Sequence, residues 1–331
     1  MQESRFFSII LPTFGRPDEV RECLESLCLQ TCNDFEVLIA DGSPNDDVRP
    51  EVEKFMDKLS IQFIYEKFLP VSDARNRGAQ AAKGNWIIFL DSDCIIPPDY
   101  LKQVNTGIDE QNLQVFGGPD AAHESFSDVQ KAISYSMTSL FTTGGIRGKK
   151  NHVGVFHPRG FNMGMERGAF FAVNGYSEFK CGEDIELSIR LIKAGFRTGL
   201  IPEAFVYHKR RTDFKKFYKQ VYRFGAARIN IYARHNEELK LTHLFPSAFV
   251  IFMLSFWVVA FISMPLFIVL FGLVLLYLSA IAVDSSIQND SLYVGVLSVR
   301  AALVQLFGYG IGFLRNTFEV LVKGNKNGIS L

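Results

Sequence analysis

The sequence has no excess of either charge and no regular arrangement of cysteines. Lys and Arg together number 35, as do Asp and Glu, so the overall charge does not favour nucleic acid as a partner, and we expect none. The five cysteines are an odd number without paired metal-ligand spacing, which argues against a structural zinc site and a disulfide framework. No G-x-G-x-x-G follows a strand and no Walker A motif is present, which disfavours dinucleotide enzymes and P-loop NTPases. The chain fits a reducing cytoplasm.

Charged side chains are also missing from one long stretch, residues 246–283. This stretch is long enough for two short membrane passes or one tilted pass. Pro265 lies in its middle and lacks a backbone N–H, so it is expected to divide two helices of a hairpin. The next apolar segment, Leu292–Leu314, contains Arg300 and Gln305, which are costly at the centre of a bilayer. We therefore predict a returning hairpin and a third helix at the interface or packed against the hairpin; three full passes are the alternative.

A strongly basic segment precedes the apolar stretch. Residues 208–243 contain ten Lys or Arg and only three acids. The positive-inside rule then keeps the catalytic part on the cytoplasmic face of the inner (cytoplasmic) membrane, with membrane lipid as a partner. No signal peptide is expected, because the apolar run before Pro12 is too short. We predict a catalytic domain over residues 1–245 and a membrane anchor over residues 246–331.

The first hundred residues alternate between strand and helix patterns. This order predicts an α/β fold with a mostly parallel sheet that binds ligands at the carboxyl ends of its strands. The predicted strands are Phe6–Leu11, Phe35–Ala40, Ile61–Tyr65 and Trp86–Leu90, and the predicted helices are Asp18–Gln30 and Ser72–Lys83. Farther along, the patterns predict a helix over Glu183–Ala194, a short strand over Ala204–Tyr207 and a basic helix from Asp213 to about Arg234. Residues from about Val115 to Met165 show no regular pattern.

Two carboxylates directly follow the most apolar of these strands. Trp86–Leu90 ends in Asp91-Ser92-Asp93, and hard oxygen ligands at a sheet edge suit Mg²⁺ or Mn²⁺ held mainly by substrate phosphates. Asp-Ser-Asp is also good turn chemistry, so a solvated turn is the alternative. Other polar motifs follow the neighbouring strands or open helices, and together they favour the metal site. They are Pro12-Thr13, Asp41-Gly42-Ser43, Ala74-Arg75-Asn76 and Gly182-Glu183-Asp184.

In this order and spacing the five motifs resemble those of family 2 glycosyltransferases with the GT-A fold, over roughly the first 225 residues. The resemblance implies a nucleotide-sugar donor, most often UDP-linked. It implies that Asp41 accepts a hydrogen bond from the base, that Arg75 reaches the base or the phosphates, and that Asp93 binds the metal. Its nucleotide-binding residues would be Pro12, Thr13, Arg16, Asp41, Asp73, Arg75, Asn76, Asp91 and Ser92, and its metal ligands Asp93, Asp91 and His208. For Asp41, Arg75 and His208 the alternatives are a turn residue, a surface charge and an ordinary polar side chain.

The resemblance also assigns the catalytic and acceptor residues. Asp184, beside Glu183, would be the base that takes a proton from the acceptor hydroxyl in a single, inverting displacement. Acids are favoured in the first turn of any helix, which is the alternative for both residues. Asn162 lies where the family places an acceptor loop. Gln220 and Arg223 resemble part of a Gln-x-x-Arg-Trp signature, although an amphipathic helix explains them as well.

These expectations combine into one predicted function. The chain is expected to be a membrane-anchored, inverting glycosyltransferase that uses Mn²⁺ or Mg²⁺ and acts on a lipid-linked acceptor in surface glycan synthesis. Two alternatives stay open, a polyprenyl-phosphate glycosyltransferase and an inactive membrane scaffold. Thr142–Gly154, with four glycines and two lysines, is predicted to be a lid over the site.

Overall fold

The computed structural model describes residues 5–143 and 156–324, except for the side chain of Leu321. Residues 144–154 of the predicted lid therefore lie outside the described residues. The chain divides into two compact units, and each combines segments that are distant in sequence. Unit 1 comprises Met1–His123 and Gly145–Lys209, and unit 2 comprises Glu124–Gly144 and Arg210–Leu331. The basic segment after Lys209 thus groups with the apolar helices, while a functional boundary at residue 245 stays a prediction.

Unit 1 is built on a seven-stranded mixed sheet and a small three-stranded sheet. The strands are β1 (Phe7–Thr13), β2 (Phe35–Asp41), β3 (Ile61–Tyr65), β4 (Trp86–Leu90), β5 (Cys94–Ile95), β6 (Val115–Gly117), β7 (Asp120–Ala121), β8 (Asn162–Glu166), β9 (Thr198–Leu200) and β10 (Val206–His208). The large sheet has the order β3-β2-β1-β4-β8-β6-β9, and the small one has the order β5-β10-β7. The predicted α/β fold is confirmed.

The first four strands are parallel, as the sequence predicts. They are parallel because each is followed by a helix that returns the chain to the same end of the sheet. Strand β8 is different: it pairs antiparallel with both β4 and β6. The stretch in which no pattern was visible therefore supplies β6, β7 and β8. These strands are short, which leaves too few residues for a clear alternation of apolar and polar side chains.

Helices cover both faces of the large sheet. In unit 1 they are α1 (Pro17–Leu27), α2 (Arg49–Glu53), α3 (Val71–Ala81), α4 (Tyr100–Gln111), α7 (Arg167–Ala172) and α8 (Glu183–Lys193). One core lies under α1 and α4 and includes Cys23, which is fully buried. A second core lies on the opposite face, under α3, α7 and α8. Burial on both faces explains why β4 is an unbroken apolar run and why β1 and β2 are mostly apolar. The polar residues inside these two strands, Ser8 and Glu36, are hydrogen-bonded to each other.

Unit 2 is entirely helical within the described residues. Its helices are α5 (Asp128–Thr138), α6 (Leu140–Thr143), α9 (Phe214–Arg234), α10 (Phe245–Ile262), α11 (Met264–Asn289) and α12 (Leu292–Thr317), followed by a π-helical turn over Phe318–Val322. Three of these are long and apolar enough to cross a membrane by length and composition. α10 ends and α11 begins beside Pro265, which lies in the first turn of α11. The predicted division of the apolar stretch is confirmed.

Candidate active site

The strand-end motifs meet at one edge of the large sheet. Thr13 and Asp41 lie opposite each other at the ends of β1 and β2, and Asp91 directly follows the end of the neighbouring strand β4. Parallel strands place their carboxyl ends at a common edge, which is where open α/β sheets bind ligands. The structure therefore brings together residues that the chain separates by up to 80 positions.

Asp41 is the most buried acid at this edge. Its Oδ1 accepts hydrogen bonds from the Ser43 amide at 3.1 Å and the Ser43 hydroxyl at 2.5 Å. The Ser43 hydroxyl in turn accepts a hydrogen bond from the Gly15 amide at 2.6 Å. Burial raises the pKa of the Asp41 carboxyl, and the Ser43 bonds oppose that rise. Asp41 Oδ2 and Thr13 Oγ1 are buried without a hydrogen-bond partner among the described residues, so this corner has unused capacity for a polar ligand.

Arg75 is buried at the centre of the acids. Its guanidinium donates from Nη2 to Asp91 Oδ1 and from Nη1 to Glu183 Oε1, each at 2.9 Å. It also lies over the ring of Tyr176, with Cζ 5.1 Å from the centroid, a favourable cation–π arrangement. The side chain is only 4% exposed, so the first structural role of Arg75 is to hold two acids from distant parts of the chain. A contact between Arg75 and a nucleotide stays a prediction.

Glu183 and Asp184 open helix α8 behind a glycine. Gly182 has a φ of 79°, a conformation that costs other residues free energy. Asp184 Oδ2 accepts a hydrogen bond from the Gly160 amide at 3.1 Å, and its Oδ1 accepts one from the Ile185 amide at 2.8 Å. The two bonds orient the carboxylate while leaving it further acceptor capacity. Glu183 differs because it is tied to Arg75; burial raises the pKa of its carboxyl and Arg75 opposes the rise.

A second cluster surrounds Asp93. Its Oδ1 lies 3.1 Å from His208 Nε2, and its Oδ2 lies 3.0 Å from Arg16 Nη1. The small sheet creates this contact, because β10 pairs with β5 and sets His208 opposite Cys94, the residue after Asp93. Asp93, Cys94 and His208 have ligand atoms close enough to hold a metal ion. Asp91 is outside this group, and its metal role stays a prediction.

The chemistry of the ligand atoms favours two of these three groups as metal ligands. Cys94 is fully buried, which raises the pKa of its thiol well above the usual range, and its Sγ lies 3.7 Å from the Phe161 carbonyl. Sulfur ligands suit soft cations, whereas a hard cation such as Mn²⁺ or Mg²⁺ prefers oxygen ligands. A carboxylate and an imidazole remain, a pair compatible with Mn²⁺ when phosphates and water complete the shell.

The other residues predicted to bind the nucleotide have varied surroundings. Pro12 and Ser92 are buried, and Asp73 is exposed in the first turn of α3. Asn76 forms a two-way link with the backbone of Tyr176, to which its amide donates at 2.9 Å and from which it accepts at 2.8 Å. A nucleotide contact by any of the four stays a prediction.

Asn162, predicted to contact the acceptor, is completely buried in β8. Its Oδ1 accepts the Tyr100 hydroxyl at 2.6 Å, and its Nδ2 donates to the Ala204 carbonyl at 2.8 Å. In this arrangement the amide is an internal link of the fold and not an exposed contact for an acceptor. Gln220 and Arg223 lie on α9 in unit 2, and their acceptor role stays a prediction.

Several residues of the site were not predicted from the sequence. Tyr176 stacks on Arg75, Phe161 stacks on the His208 ring at 4.9 Å, and Asp120 Oδ2 lies 4.0 Å from His208 Nδ1. None of the three belongs to a recognisable motif. Gly160 has a steric role, since a Cβ there would lie 2.9 Å from Arg75 Nη2. A side chain at this position would push against the guanidinium.

The Arg75 network leads to a prediction about stability. Arg75→Met leaves Asp91 and Glu183 without their buried counter-charge, and breaking such a pair on one side costs about 3–5 kcal/mol. The apparent melting temperature should fall clearly. Arg77→Met is the matched control: it lies on the same helix, pairs with Glu66 and is 44% exposed, so its loss should stay under about 1 kcal/mol. Equal melting temperatures for the two variants would refute the structural role of Arg75.

Comparison of the whole fold with solved structures gives the class of protein. The mannosyltransferase PcManGT from Pyrobaculum calidifontis, solved with GDP-Man and Mn²⁺, matches with a TM-score of 0.64 over 92% of this chain and 88% of its own, at 14% identity. At that identity the similarity concerns the fold. The mixed sheet of unit 1 has the fold of GT-A glycosyltransferases, and the chain continues into apolar helices.

Sequence comparisons identify the family. Residues 8–170 match the family described as Glycosyl transferase family 2. Two curated relatives are similar over most of their length. The first, from Methanococcus voltae, is named dolichyl N-acetyl-alpha-D-glucosaminyl phosphate 3-beta-D-2,3-diacetamido-2,3-dideoxy-beta-D-glucuronosyltransferase, and is 25% identical over 97% of this chain and 98% of its own. The second is the succinoglycan biosynthesis protein ExoA of Rhizobium meliloti, 26% identical over 72% and 74%. Residues 8–170, just under half of the chain, therefore match a family 2 glycosyltransferase domain, and the chain is an enzyme of glycosyl transfer.

Proposed function

We propose that this enzyme transfers a sugar, with inversion, from a UDP-sugar to a lipid-linked saccharide acceptor in the synthesis of a surface glycan. The observation that carries the proposal is the Arg75 network, which gathers Asp91 and Glu183 at the sheet edge. Asp184 is adjacent to Glu183 and bonded to Gly160, which packs against Arg75. The name of the Methanococcus voltae relative, which contains a lipid-phosphate sugar acceptor, supports the acceptor class.

The corner of the site formed by Asp41 and Thr13 suits the nucleobase of the sugar donor. Asp41 Oδ2 and Thr13 Oγ1 are buried and available as hydrogen-bond partners, and a carboxylate oxygen is a natural acceptor for the N–H of uracil. Burial of Asp41 leaves this acceptor sheltered from water, which strengthens a hydrogen bond made there. This corner lies at the ends of β1 and β2, next to the strand end that carries Asp91 and Asp93.

Asp93 and His208 would hold a divalent metal, Mn²⁺ or Mg²⁺. When bound, the metal supplies Lewis-acid stabilisation of the charge on the leaving nucleotide diphosphate. Arg16 shares the Asp93 carboxylate and adds a second positive group at the same place. This chain therefore orients one carboxylate between an imidazole and a guanidinium, close to where phosphates would lie.

Asp184 is the proposed base. Its two backbone hydrogen bonds fix the carboxylate, and it can take the proton of an acceptor hydroxyl as that oxygen attacks the anomeric carbon. Glu183 is less suited to this task, since Arg75 already occupies its Oε1. Attack by the acceptor oxygen itself breaks the bond to the nucleotide in one displacement, so an α-linked donor gives a β-linked product.

A donor and acceptor panel tests the proposal. Purified full-length enzyme is incubated with UDP-, GDP- and dTDP-sugars, with Mn²⁺, and with either a lipid-pyrophosphate saccharide or polyprenyl phosphate. We expect UDP release that depends on the saccharide acceptor, and a lengthened lipid-linked saccharide as product. A polyprenyl-phosphate sugar would establish the alternative enzyme. Absence of nucleotide release from every donor would favour an inactive scaffold and overturn the proposal.

A further inference from the structure

Helices α9 and α12 lie side by side in unit 2. Arg300 of α12 lies over the Phe214 ring of α9, with Cζ 4.6 Å from the centroid. Sixteen residues later in both helices, the Asn316 amide donates to Asn230 Oδ1 at 2.7 Å. The two helices therefore run parallel for about 24 Å, at 1.5 Å of rise per residue.

Glycines allow the two backbones to approach closely. A Cβ at Gly225 of α9 would collide with the Tyr309 carbonyl of α12, and one at Gly312 would collide with the Tyr222 carbonyl. At Gly308 a Cβ would lie 2.6 Å from a methyl carbon of Val221. Contact at three positions spread along both helices makes the pair a single structural element. Helix α12 can therefore lie only in an environment that also suits α9.

Helix α9 is too basic for the interior of a bilayer. It contains six Lys or Arg and no acid: Lys215, Lys216, Lys219, Arg223, Arg228 and Arg234. Each such charge is strongly unfavourable at the centre of a membrane-spanning helix. Because α12 runs beside α9 from Arg300 to Asn316, it could cross the bilayer only if α9 crossed too. The pair therefore belongs at the membrane surface, although α12 is long and apolar enough to cross by itself.

Among the described residues, α10 and α11 contact α12 through the halves of these helices that are far from their junction. In α10, the Ser247 hydroxyl donates to the Gly310 carbonyl at 3.4 Å, and Phe249 packs on Phe307 at 5.7 Å. In α11, the Ser285 and Ser298 hydroxyls are 2.7 Å apart. Asp284, the first charged residue after the apolar stretch, lies at this same level and accepts a hydrogen bond from Tyr135.

Between those contacts the two helices expose apolar side chains. Phe256, Phe267 and Phe271 pack together near the junction, while most other large side chains are exposed. Phe271 is itself partly exposed, and the other exposed ones are Ile251, Leu254, Trp257, Val258, Phe261, Ile262, Met264, Leu266, Ile268, Val269, Leu273, Leu275 and Leu276. An apolar surface of this size is typical of a membrane-inserted segment.

The hairpin of α10 and α11 is too short to cross. Val250 of α10 lies against α12, since a Cβ at Gly310 would be 2.7 Å from one of its methyl carbons. The next buried residue, Phe256, packs on Phe267 of α11 instead. The junction at Ser263 is 13 residues beyond Val250. Thirteen helical residues reach at most about 20 Å, whatever the tilt of the helix. The hydrocarbon core of a bilayer is about 30 Å thick. If α12 lies at the membrane surface, the junction between α10 and α11 therefore lies inside the membrane.

We propose that this enzyme is monotopic: the α10–α11 hairpin inserts into one leaflet, and α9 and α12 rest on the surface of that leaflet. The partner is a bilayer that contains anionic lipid, to which the bases of α9 are complementary. The arrangement differs from the predicted hairpin of two passes, because no residue reaches the opposite surface. It does not depend on the identity of donor or acceptor, so its failure and that of the proposed function are separable.

A depth measurement tests the inference. Ser263→Cys is labelled with bimane in full-length protein bound to phosphatidylcholine–phosphatidylglycerol vesicles, and the identically labelled parent corrects for the five natural cysteines. Leu241→Cys is the matched control, since Leu241 precedes the hairpin and is 85% exposed. We expect quenching at position 263 by lipids that carry a spin label in the middle of the chain, and no quenching by iodide inside or outside the vesicle. Position 241 should show quenching by iodide.

The outcomes at position 263 separate the possibilities. Quenching by iodide trapped inside the vesicle, with protein added from outside, would show a crossing hairpin and overturn the proposal. Quenching by iodide in the external buffer would show that the hairpin stays out of the membrane, which also overturns it. Ser263 lies at a helix junction and is only partly buried, so replacement by the similar cysteine should preserve the fold.

A second measurement tests the surface position of α9. Lys215, Lys216 and Lys219 are exposed, and each base near anionic lipid changes affinity about fivefold, the equivalent of about 1 kcal/mol. Replacing all three by Gln should weaken binding to anionic vesicles by about 100-fold at low salt, with little change on neutral vesicles. Unchanged affinity for anionic vesicles would place α9 away from the membrane and overturn the proposal.

Discussion

Asp184→Asn is expected to lower turnover by ~10²- to 10⁴-fold while leaving nucleotide affinity nearly unchanged. Asparagine keeps the shape of the side chain but cannot take a proton from the acceptor. The carboxylate accepts hydrogen bonds from the Ile185 amide in the first turn of α8 and from the Gly160 amide before β8. The side-chain carbonyl of asparagine can still accept one of these bonds, so the fold should tolerate the change. Single-turnover rates and UDP binding by calorimetry give the two quantities separately.

Asp18→Asn is the control for this experiment. Asp18 also lies in the first turn of a helix, α1, and its side chain is 78% exposed. If Asp184 acted only through helix electrostatics, both substitutions would have small effects on stability, 0.3–1 kcal/mol, and neither would change turnover. Parallel losses of binding and turnover in Asp184→Asn would also argue against a base. A product with retained anomeric configuration would exclude the single displacement.

Asp93→Ala is expected to remove the response of nucleotide affinity to Mn²⁺. Asp93 is the only carboxylate of the described residues that contacts both His208 and Arg16, so its loss removes the central ligand of the proposed metal site. Calorimetry with UDP, with and without Mn²⁺, measures the effect without depending on activity. The unmodified enzyme should bind UDP more tightly with Mn²⁺, and Asp93→Ala should bind it equally weakly under both conditions.

Two further variants sharpen this test. His208→Ala should reduce the response to Mn²⁺ without abolishing it, because the carboxylate is the stronger ligand for a hard cation. Asp57→Ala, an exposed acid after α2, should behave as the unmodified enzyme. If Asp93→Ala retained full stimulation by Mn²⁺, the metal assignment at this edge would be wrong.

The local sequence pattern was sufficient to predict many of the strands and helices of unit 1. The strands Ile61–Tyr65 and Trp86–Leu90 occur with the predicted bounds, and the helix beginning at Glu183 ends one residue earlier than predicted. Trp86–Leu90 is apolar and buried throughout, and the helix buries one face, so the composition of the strand and the period of the helix are visible in the sequence. Strand-end motifs were also predictable as a group, since parallel strands joined by helices must place their carboxyl ends together.

The sequence by itself determined the α/β class, the apolar hairpin divided at Pro265, and the residues that gather at the sheet edge. Only the tertiary structure decided the partners: Arg75 between Asp91 and Glu183, and His208 against Asp93 through the pairing of β10 with β5. It also buried Asn162 and joined α9 to α12. Arg75 and Asp91 are 16 positions apart, and the other pairings connect residues more than 60 positions apart. The packing of the whole chain selects them, so no local period reveals them.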